Sequence, residues 1–384
     1  MRTDLGQIWS AGVAACHPAR VLPPHLPPAP EGRVILLGVG KAAGEMAAVA
    51  EAHFGDKACG IAVVPHGFEA KLERIALLHA GHPVPDSASV AAAEALLARA
   101  AEARPGDLVV ALLSGGASAL ACLPGAGLSL ADKQALTAAL LRSGAPVHEI
   151  NCVRRHVSRI KGGRLRADLT LAISDVTASR PEDIGSGPTV ADPTSVADAR
   201  AILARHRLDA PLSETPKSAP GAFRIVASAA DAIAAAAAEA RELGYRPVML
   251  GECAGEARDL GREHARRALA LPPGSALISG GELVVTVSGG GRGGPNLEYA
   301  LAAGMEISRR PDIAGLAADS DGLDGTSGAA GAYFGFGPAE GAAAALAAND
   351  SASVADLFVT GPTGTNVNDL RIILIKGDKG DRYE

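Results

Sequence analysis

A lysine stands inside a glycine turn in the run LLGVGKAAGEMA. Gly38 and Gly40 let the backbone approach a ligand, and the start of the helix expected next favours an anion. Gly38-x-Gly40-x-x-Ala43 also fits the looser form of a dinucleotide fingerprint. Two features count against that fit. The next apolar run closes in Pro65-His66-Gly67, with no acidic residue to hold a ribose, and Lys41 suits a phosphate or carboxylate better. The competing reading is a plain tight turn with Lys41 in solvent. A second candidate is LLSGGASAL, where Ser114, Gly115, Gly116 and Ser118 present small side chains and amides ahead of an expected helix. Such a nest binds phosphate. Its plainer reading is a strand-to-helix turn capped by Ser118.

The run NCVRRHVSRIKGGRL crowds Arg154, Arg155, Arg159, Lys161, Arg164 and Arg166 together. Most such runs are solvated helices. Here Gly162-Gly163 is expected to stop the helix just after Lys161, so that Arg154 and Lys161 become candidate contacts to a carboxylate or phosphate.

Acidic motifs follow: Ser174-Asp175, then Gly185-Ser186-Gly187-Pro188-Thr189, then Gly280-Gly281-Glu282, then DSDGLDG with Asp319, Asp321 and Asp324. The last lacks the length and closing Glu of a calcium-binding EF-hand loop. One or two carboxylates holding Mg²⁺ on a nucleotide would suit phosphoryl transfer, and Asp175 and Asp319 are the candidates. Asx-turns are the alternative. Two more glycine-dense loops could hold anions: SGGGRGGPNLE, with Arg292 and Asn296, and TGPTGTNVND, with Thr363, Thr365, Asn366, Asn368 and Asp369.

Several chemistries are excluded by the motifs they require. The chain has no G-x-x-x-x-G-K-[ST] loop, no G-x-S-x-G elbow and no H-E-x-x-H. Its five cysteines form no C-x-x-C pair, which fits buried thiols in a reducing, cytoplasmic compartment rather than a zinc site.

Apolar runs bounded by Gly or Pro predict strands at 34–37, 61–64, 107–113 and 169–173. Helices are expected in the first twenty residues and over 42–53, 86–104 and 129–143. The alternation implies a mostly parallel, Rossmann-like sheet covered on both faces. LSETPKSAPG at 212–221 has linker composition. Beyond it a strand is expected at 224–227, a helix at 230–243, and strands at 283–287 and 371–375. We therefore expect two domains: residues 1–220, and a Gly-rich α/β domain over 221–384. The closing KGDKGDRYE reads as a solvated tail.

The 384 residues are 48% hydrophobic, 20% charged and only 3% aromatic, so the core must be built from Ala, Val, Leu and Ile. A net charge of −6 argues against nucleic acid as a partner, and no apolar stretch is long enough to span a membrane. The oligomeric state is left open, with a homodimer among the options.

Taken in order, GVGKAA, AGHPVPD, LLSGGASAL, the R-x-H-x-S-x-x-K-G-G run from Arg154, SDV…GSGPTV, SGGE, DSDGLDG and TGPTGTNVND resemble the glycerate 2-kinase (class II glycerate kinase) family. Its C-terminal module carries the motif name MOFRL, and its members have often been labelled hydroxypyruvate reductases. The match runs from Gly38 to Ile375. The resemblance implies transfer of the ATP γ-phosphoryl to the 2-hydroxyl of D-glycerate in an interdomain cleft, assisted by Mg²⁺. It places Lys41 and Arg292 in catalytic roles. Gly38, Gly40, Ser114, Gly115, Gly116, Ser118, Arg154 and Lys161 become the substrate and phosphate set. Gly187, Pro188, Thr189, Glu282, Asn296, Asp319, Asp321, Thr363 and Asn366 become nucleotide contacts. The chain departs from the family pattern at Ala178, Ser179 and Arg180, where Gly then Asp is usual, and at Pro295 and Leu297, where Arg and Gln are common. The rival readings are an NAD(P)-dependent hydroxypyruvate reductase and a non-catalytic small-anion binding protein.

Overall fold

The computed structural model describes residues 1–176, 180–337 and 340–377. Ala178, Ser179 and most of the expected tail, residues 378–384, lie outside them. The chain divides into two compact units, Pro18–Val226 and Met1–His17 with Ala227–Glu384.

The first unit is built on β1 (Val34–Val39), β2 (Ala58–Pro65), β3 (Ile75–Ala80), β4 (Leu108–Leu113), β5 (Leu169–Ile173) and β6 (Ala222–Ala227). They form one sheet in the order β3-β2-β1-β4-β5-β6. β1 runs parallel to β2 and β4, β2 to β3, and β4 to β5. All six residues of β1 and all five of β5 are buried, as continuous apolar runs require when both faces of a parallel sheet are covered. Reciprocal capping boxes start the helices Ser87–Ala101, Leu130–Arg142 and Val196–Arg205. Each pairs an N-cap Asp or Ser with the residue three positions on, so that orphan amides at the helix start are satisfied. The strand order reverses direction between β1 and β4. Open α/β sheets bind their ligands beyond the strand ends at such a switch point.

The second unit carries β7 (Arg246–Glu252), β8 (Gly255–Glu256), β9 (Ser275–Gly281), β10 (Leu283–Val284), β11 (Ile313–Asp319), β12 (Gly331–Phe334), β13 (Asp356–Phe358) and β14 (Asp369–Ile375). Six of these form a mixed sheet ordered β13-β12-β11-β14-β9-β7, antiparallel except for the β7–β9 pair. The strand expected at 283–287 is reduced to the two residues of β10, paired with β8. Val284 and Val287 are exposed there, so alternation in this stretch does not mark a core face.

The N-terminal helix, Arg2–Ala15, belongs with this second unit and not with the strands that follow it in sequence. Its stripe Leu5, Ile8, Trp9 and Val13 is buried with Ile233, Ala236, Ala237 and the β14 residues Leu370, Ile372 and Leu374. Gly12 permits the approach, since a Cβ there would stand 2.9 Å from the carbonyl oxygen of Ala232. The 212–221 segment is irregular, as its composition suggests, but it is pinned within the first unit. Ser213 N donates to the His156 carbonyl at 2.9 Å, and Thr215 is buried. Among the described residues no helix is long and apolar enough to cross a membrane.

Candidate active site

The switch point brings two turns together. At the end of β1 the chain passes through Gly40 with φ 136°, where a Cβ would lie 2.1 Å from Ser114 Oγ, so only glycine fits. Ser114, at the end of β4, donates its amide to the Val39 carbonyl at 3.0 Å and accepts at Oγ from the Ala42 amide at 3.0 Å. The Lys41 amide donates to the Gly115 carbonyl at 2.8 Å. Gly116 follows with φ 83°, and a Cβ there would meet the His82 ring at 2.9 Å and Lys41 Cγ at 3.5 Å. Lys41, Gly116 and His82 therefore share one corner. Gly38 lies against Ala62 of β2 within the sheet itself.

Beside this corner opens a cavity of about 660 Å³, lined by His82, Gly116, Ser118, Lys133, Arg154 and Lys161, among others. Val84, Ala138 and Leu141 add an apolar wall, and no acidic residue lines it among those described. Lys161 does not end a helix as the sequence suggested. The helix Val147–His156 stops earlier, and Lys161 follows in a turn, 2% exposed. Its Nζ donates to the carbonyls of Ser118, Ala121 and Gly185 at 2.9, 3.3 and 3.3 Å. Burial pushes its ammonium well below the ordinary lysine value, and Lys133 and Arg154 push it the same way. Burial also lowers Arg154.

A buried polar network supports this wall. The Ser118 and Ser186 hydroxyls lie 2.8 Å apart, Ser186 donates to Asn151 Oδ1 at 3.1 Å, and Asn151 Nδ2 donates to Asp183 at 3.1 Å. Arg180, one of the family departures, pairs with Asp183 at 2.6 Å from an exposed position. Gly187 and Pro188 accept the amides of Gly163 and Leu165, and buried Thr189 takes a hydrogen bond from Thr170 at 2.8 Å. Gly187 and Pro188 thus close the turn that holds Lys161, and Thr189 ties the segment to β5. Asp175 follows β5 and is partly buried.

The remaining candidates lie in the second unit, around the loops 319–325 and 360–369. The loops interlock: Thr363 N donates to the Asp321 carbonyl at 3.1 Å, and a Cβ on Gly322 would strike the Gly361 carbonyl. The Thr363 hydroxyl donates to the Ser320 carbonyl, and buried Asn366 accepts the Asn368 amide at 3.2 Å. Asp319 and Asp321 each accept the amide two residues on, at 2.9 and 2.8 Å, which is Asx-turn geometry. Pro295 opens the helix Pro295–Glu306, and Leu297 is in the core. Asp324 accepts the Asn296 and Leu297 amides at that helix start, each at 3.0 Å. Asn296 Nδ2 bridges Asp324 and Asp369 at 3.1 and 2.6 Å. Burial raises Asp324 to about 7 and Asp369 in the same direction. Arg292 and Glu282 are exposed. Arg292 N is held by Asp350 at 3.0 Å, and its guanidinium donates to the Thr326 carbonyl at 3.3 Å.

Nothing in the local sequence marks Lys133, His82 or Arg371. Lys133 carries no local signal, because a lysine beside Asp132 in a capped helix reads as solvated. His82 lies in AGHPVPD, between β3 and the helix Ser87–Ala101, where a lone histidine has no spacing partner to mark it.

Residues 4–219 match a domain family described only as of unknown function (DUF4147), and residues 275–369 match the MOFRL family. A glycerate 2-kinase of Pyrococcus horikoshii is 38% identical, covering 91% of this chain and 89% of that protein. A protein of Agrobacterium vitis named as a hydroxypyruvate reductase is 43% identical over 97% of this chain and 94% of its own length. The crystal structure of glycerate kinase from Thermotoga maritima superposes with a TM-score of 0.84 at 34% identity, covering 96% of this chain and 98% of that one.

Proposed function

The chain belongs to the glycerate 2-kinase family, and on that premise we propose that it transfers the γ-phosphoryl group of ATP to the 2-hydroxyl of D-glycerate, giving 2-phosphoglycerate and ADP. The observation that carries this reading is the joining of the Lys41 turn to the Gly115-Gly116 turn at the β1/β4 switch point, beside a cavity walled by cations.

In the transfer the 2-hydroxyl oxygen attacks phosphorus, the bond to the β,γ-bridging oxygen breaks, and the hydroxyl proton leaves. Such a reaction needs positioning and charge stabilisation more than covalent help. Lys41 places a cation against the phosphoryl group, while the glycine-rich backbone of 114–116 lets that group approach closely. Arg292, exposed on the loop 289–294 of the second unit, is the other proposed catalytic cation. Asn296, Asp319, Asp321, Thr363, Asn366 and Glu282, with Gly187 to Thr189, remain the proposed nucleotide set. Among the described residues no three His, Cys, Asp or Glu side chains gather into a metal cage. Mg²⁺ would come on the nucleotide phosphates, with Asp175 or Asp319 as the proposed protein contact and neutralisation of phosphate charge as its contribution.

The reductase reading is not favoured, because β2 ends in Pro65 followed by His66 and Gly67, with no acid of its own to hold a ribose, and the nearby Asp86 carboxylate is spent on His66 and on the amides of Gly81 and Ser89. The test is ADP release that depends on D-glycerate. Release independent of glycerate, or rapid NADH oxidation with hydroxypyruvate, would overturn the reading.

A further inference from the structure

The cavity beside Gly116 holds three cations and, among its described lining residues, no carboxylate to balance them. They are not equivalent. Lys161 spends its ammonium hydrogens on three backbone carbonyls, so it offers no free donor. Lys133 is 3% exposed, and its Nζ makes one long bond, 3.4 Å to the Leu123 carbonyl. Arg154 makes one contact at the limit of hydrogen bonding, 3.5 Å to Asn151 Oδ1. A buried ammonium with unspent donors, next to two other cations, is costly unless an anion completes the site.

The chemistry of a 2-hydroxy acid says which anion. The attacking oxygen sits on the carbon that bears the carboxylate, so the carboxylate is brought close to the incoming phosphoryl group. Two anions at that separation repel, and the cation at the phosphoryl group cannot serve both. A second cationic set is needed one step away, and Gly116 is shared between the phosphoryl corner and this cavity. Resting on the function proposed above, we infer that Lys133, with Arg154, grips the carboxylate of the acceptor acid, while Lys161, tied to three backbone carbonyls, closes the wall behind it. Lys133 is then a substrate-binding residue that selects 2-hydroxy acids over neutral alcohols and presents the 2-hydroxyl for transfer. Burial already pushes its ammonium down to about 8, a cost that a bound carboxylate offsets.

The experiment compares D-glycerate with D-glyceramide, its neutral amide, as acceptors for wild type, Lys133→Met and Lys133→Gln. A hydrogen bond to a charged group implies that Lys133→Met narrows the preference for glycerate by roughly 10- to 100-fold. KM for ATP should stay within about twofold. Because an apolar side chain of similar size replaces a buried charge, Lys133→Met should melt at the same temperature or higher. Calorimetric titration with D-glycerate alone should show the same loss of binding without turnover. That titration separates the two readings: wild type that binds glycerate through Lys133 but does not phosphorylate it would sink the kinase reading and leave this one standing. An undiminished preference in Lys133→Met would overturn the assignment. So would a rise in KM for ATP instead of glycerate, or melting temperatures lowered in both variants.

Discussion

The Lys41 amide donates to the Gly115 carbonyl at 2.8 Å, and this bond ties the turn after β1 to the turn after β4. It lies at the point where the strand order reverses, so the backbone that carries the candidate catalytic lysine is fixed by the sheet rather than by a free loop.

Lys41→Ala should therefore lose most of kcat while the fold survives. Preorganised groups that stabilise developing charge are worth about 2.7–4 kcal/mol, or roughly 10²–10³ in rate. The check is kcat at saturating ATP and glycerate beside a melting curve. Near wild-type kcat would make Lys41 a bystander, and a collapsed melting temperature would make it structural.

Gly40→Ala should damage both properties together. Its Cβ would lie 2.1 Å from Ser114 Oγ and 2.6 Å from the Ser114 carbonyl oxygen, in a backbone conformation that disfavours side chains. Strain of this kind costs about 1–3 kcal/mol. Thermal denaturation should show a drop of several degrees, and kcat should fall as the two turns separate. A variant as stable and as active as wild type would show that the turns do not depend on each other.

In the second unit, Arg371→Leu should be strongly destabilising. Arg371 is 1% exposed, donates to Ser279 Oγ at 3.1 Å and to the carbonyls of Cys253 and Gly280, and lies 3.6 Å from Asp369. Removing one partner of a buried pair costs about 3–5 kcal/mol. Chemical denaturation of the variant should show a midpoint shifted well below wild type. An unshifted midpoint would mean that Asp369 finds its counter-charge elsewhere.

His264 gives a pH dependence with a definite sign. Burial pushes its imidazole down to about 4, and its Nδ1 lies 3.0 Å from the Tyr299 hydroxyl. Between about pH 6.5 and 4 the unfolded chain holds a proton there that the folded chain does not. Stability from this group is complete above about pH 6.5 and is lost as pH falls toward 4. Melting curves across that window should fall more steeply for wild type than for His264→Gln. Parallel profiles would show that the imidazole does not titrate differently on folding.

Legibility in the sequence followed side-chain size and range of contact. β5 falls on the residues expected, and β4 differs by one at its start, because both are continuous apolar runs with clear stops. β9, β11 and β12 gave no such signal. Their core positions are largely Ala and Gly, and Gly315 of β11 is small because the Phe334 ring of β12 covers it. The N-terminal helix was legible as a helix, but its partner strand is more than 350 residues away in the chain. Lys133 was hidden for another reason: it follows Asp132 in the first turn of a capped helix, the usual place for a solvated charge, yet it is buried with its Nζ at the Leu123 carbonyl.

The regiochemistry of the product tests the central claim most directly. Purified protein is incubated with ATP, Mg²⁺ and D-glycerate, and the phosphorylated acid is identified by phosphorus and proton NMR. The account predicts 2-phosphoglycerate, formed in step with ADP. Exclusive formation of 3-phosphoglycerate, or ADP released without any phosphorylated acid, would contradict it.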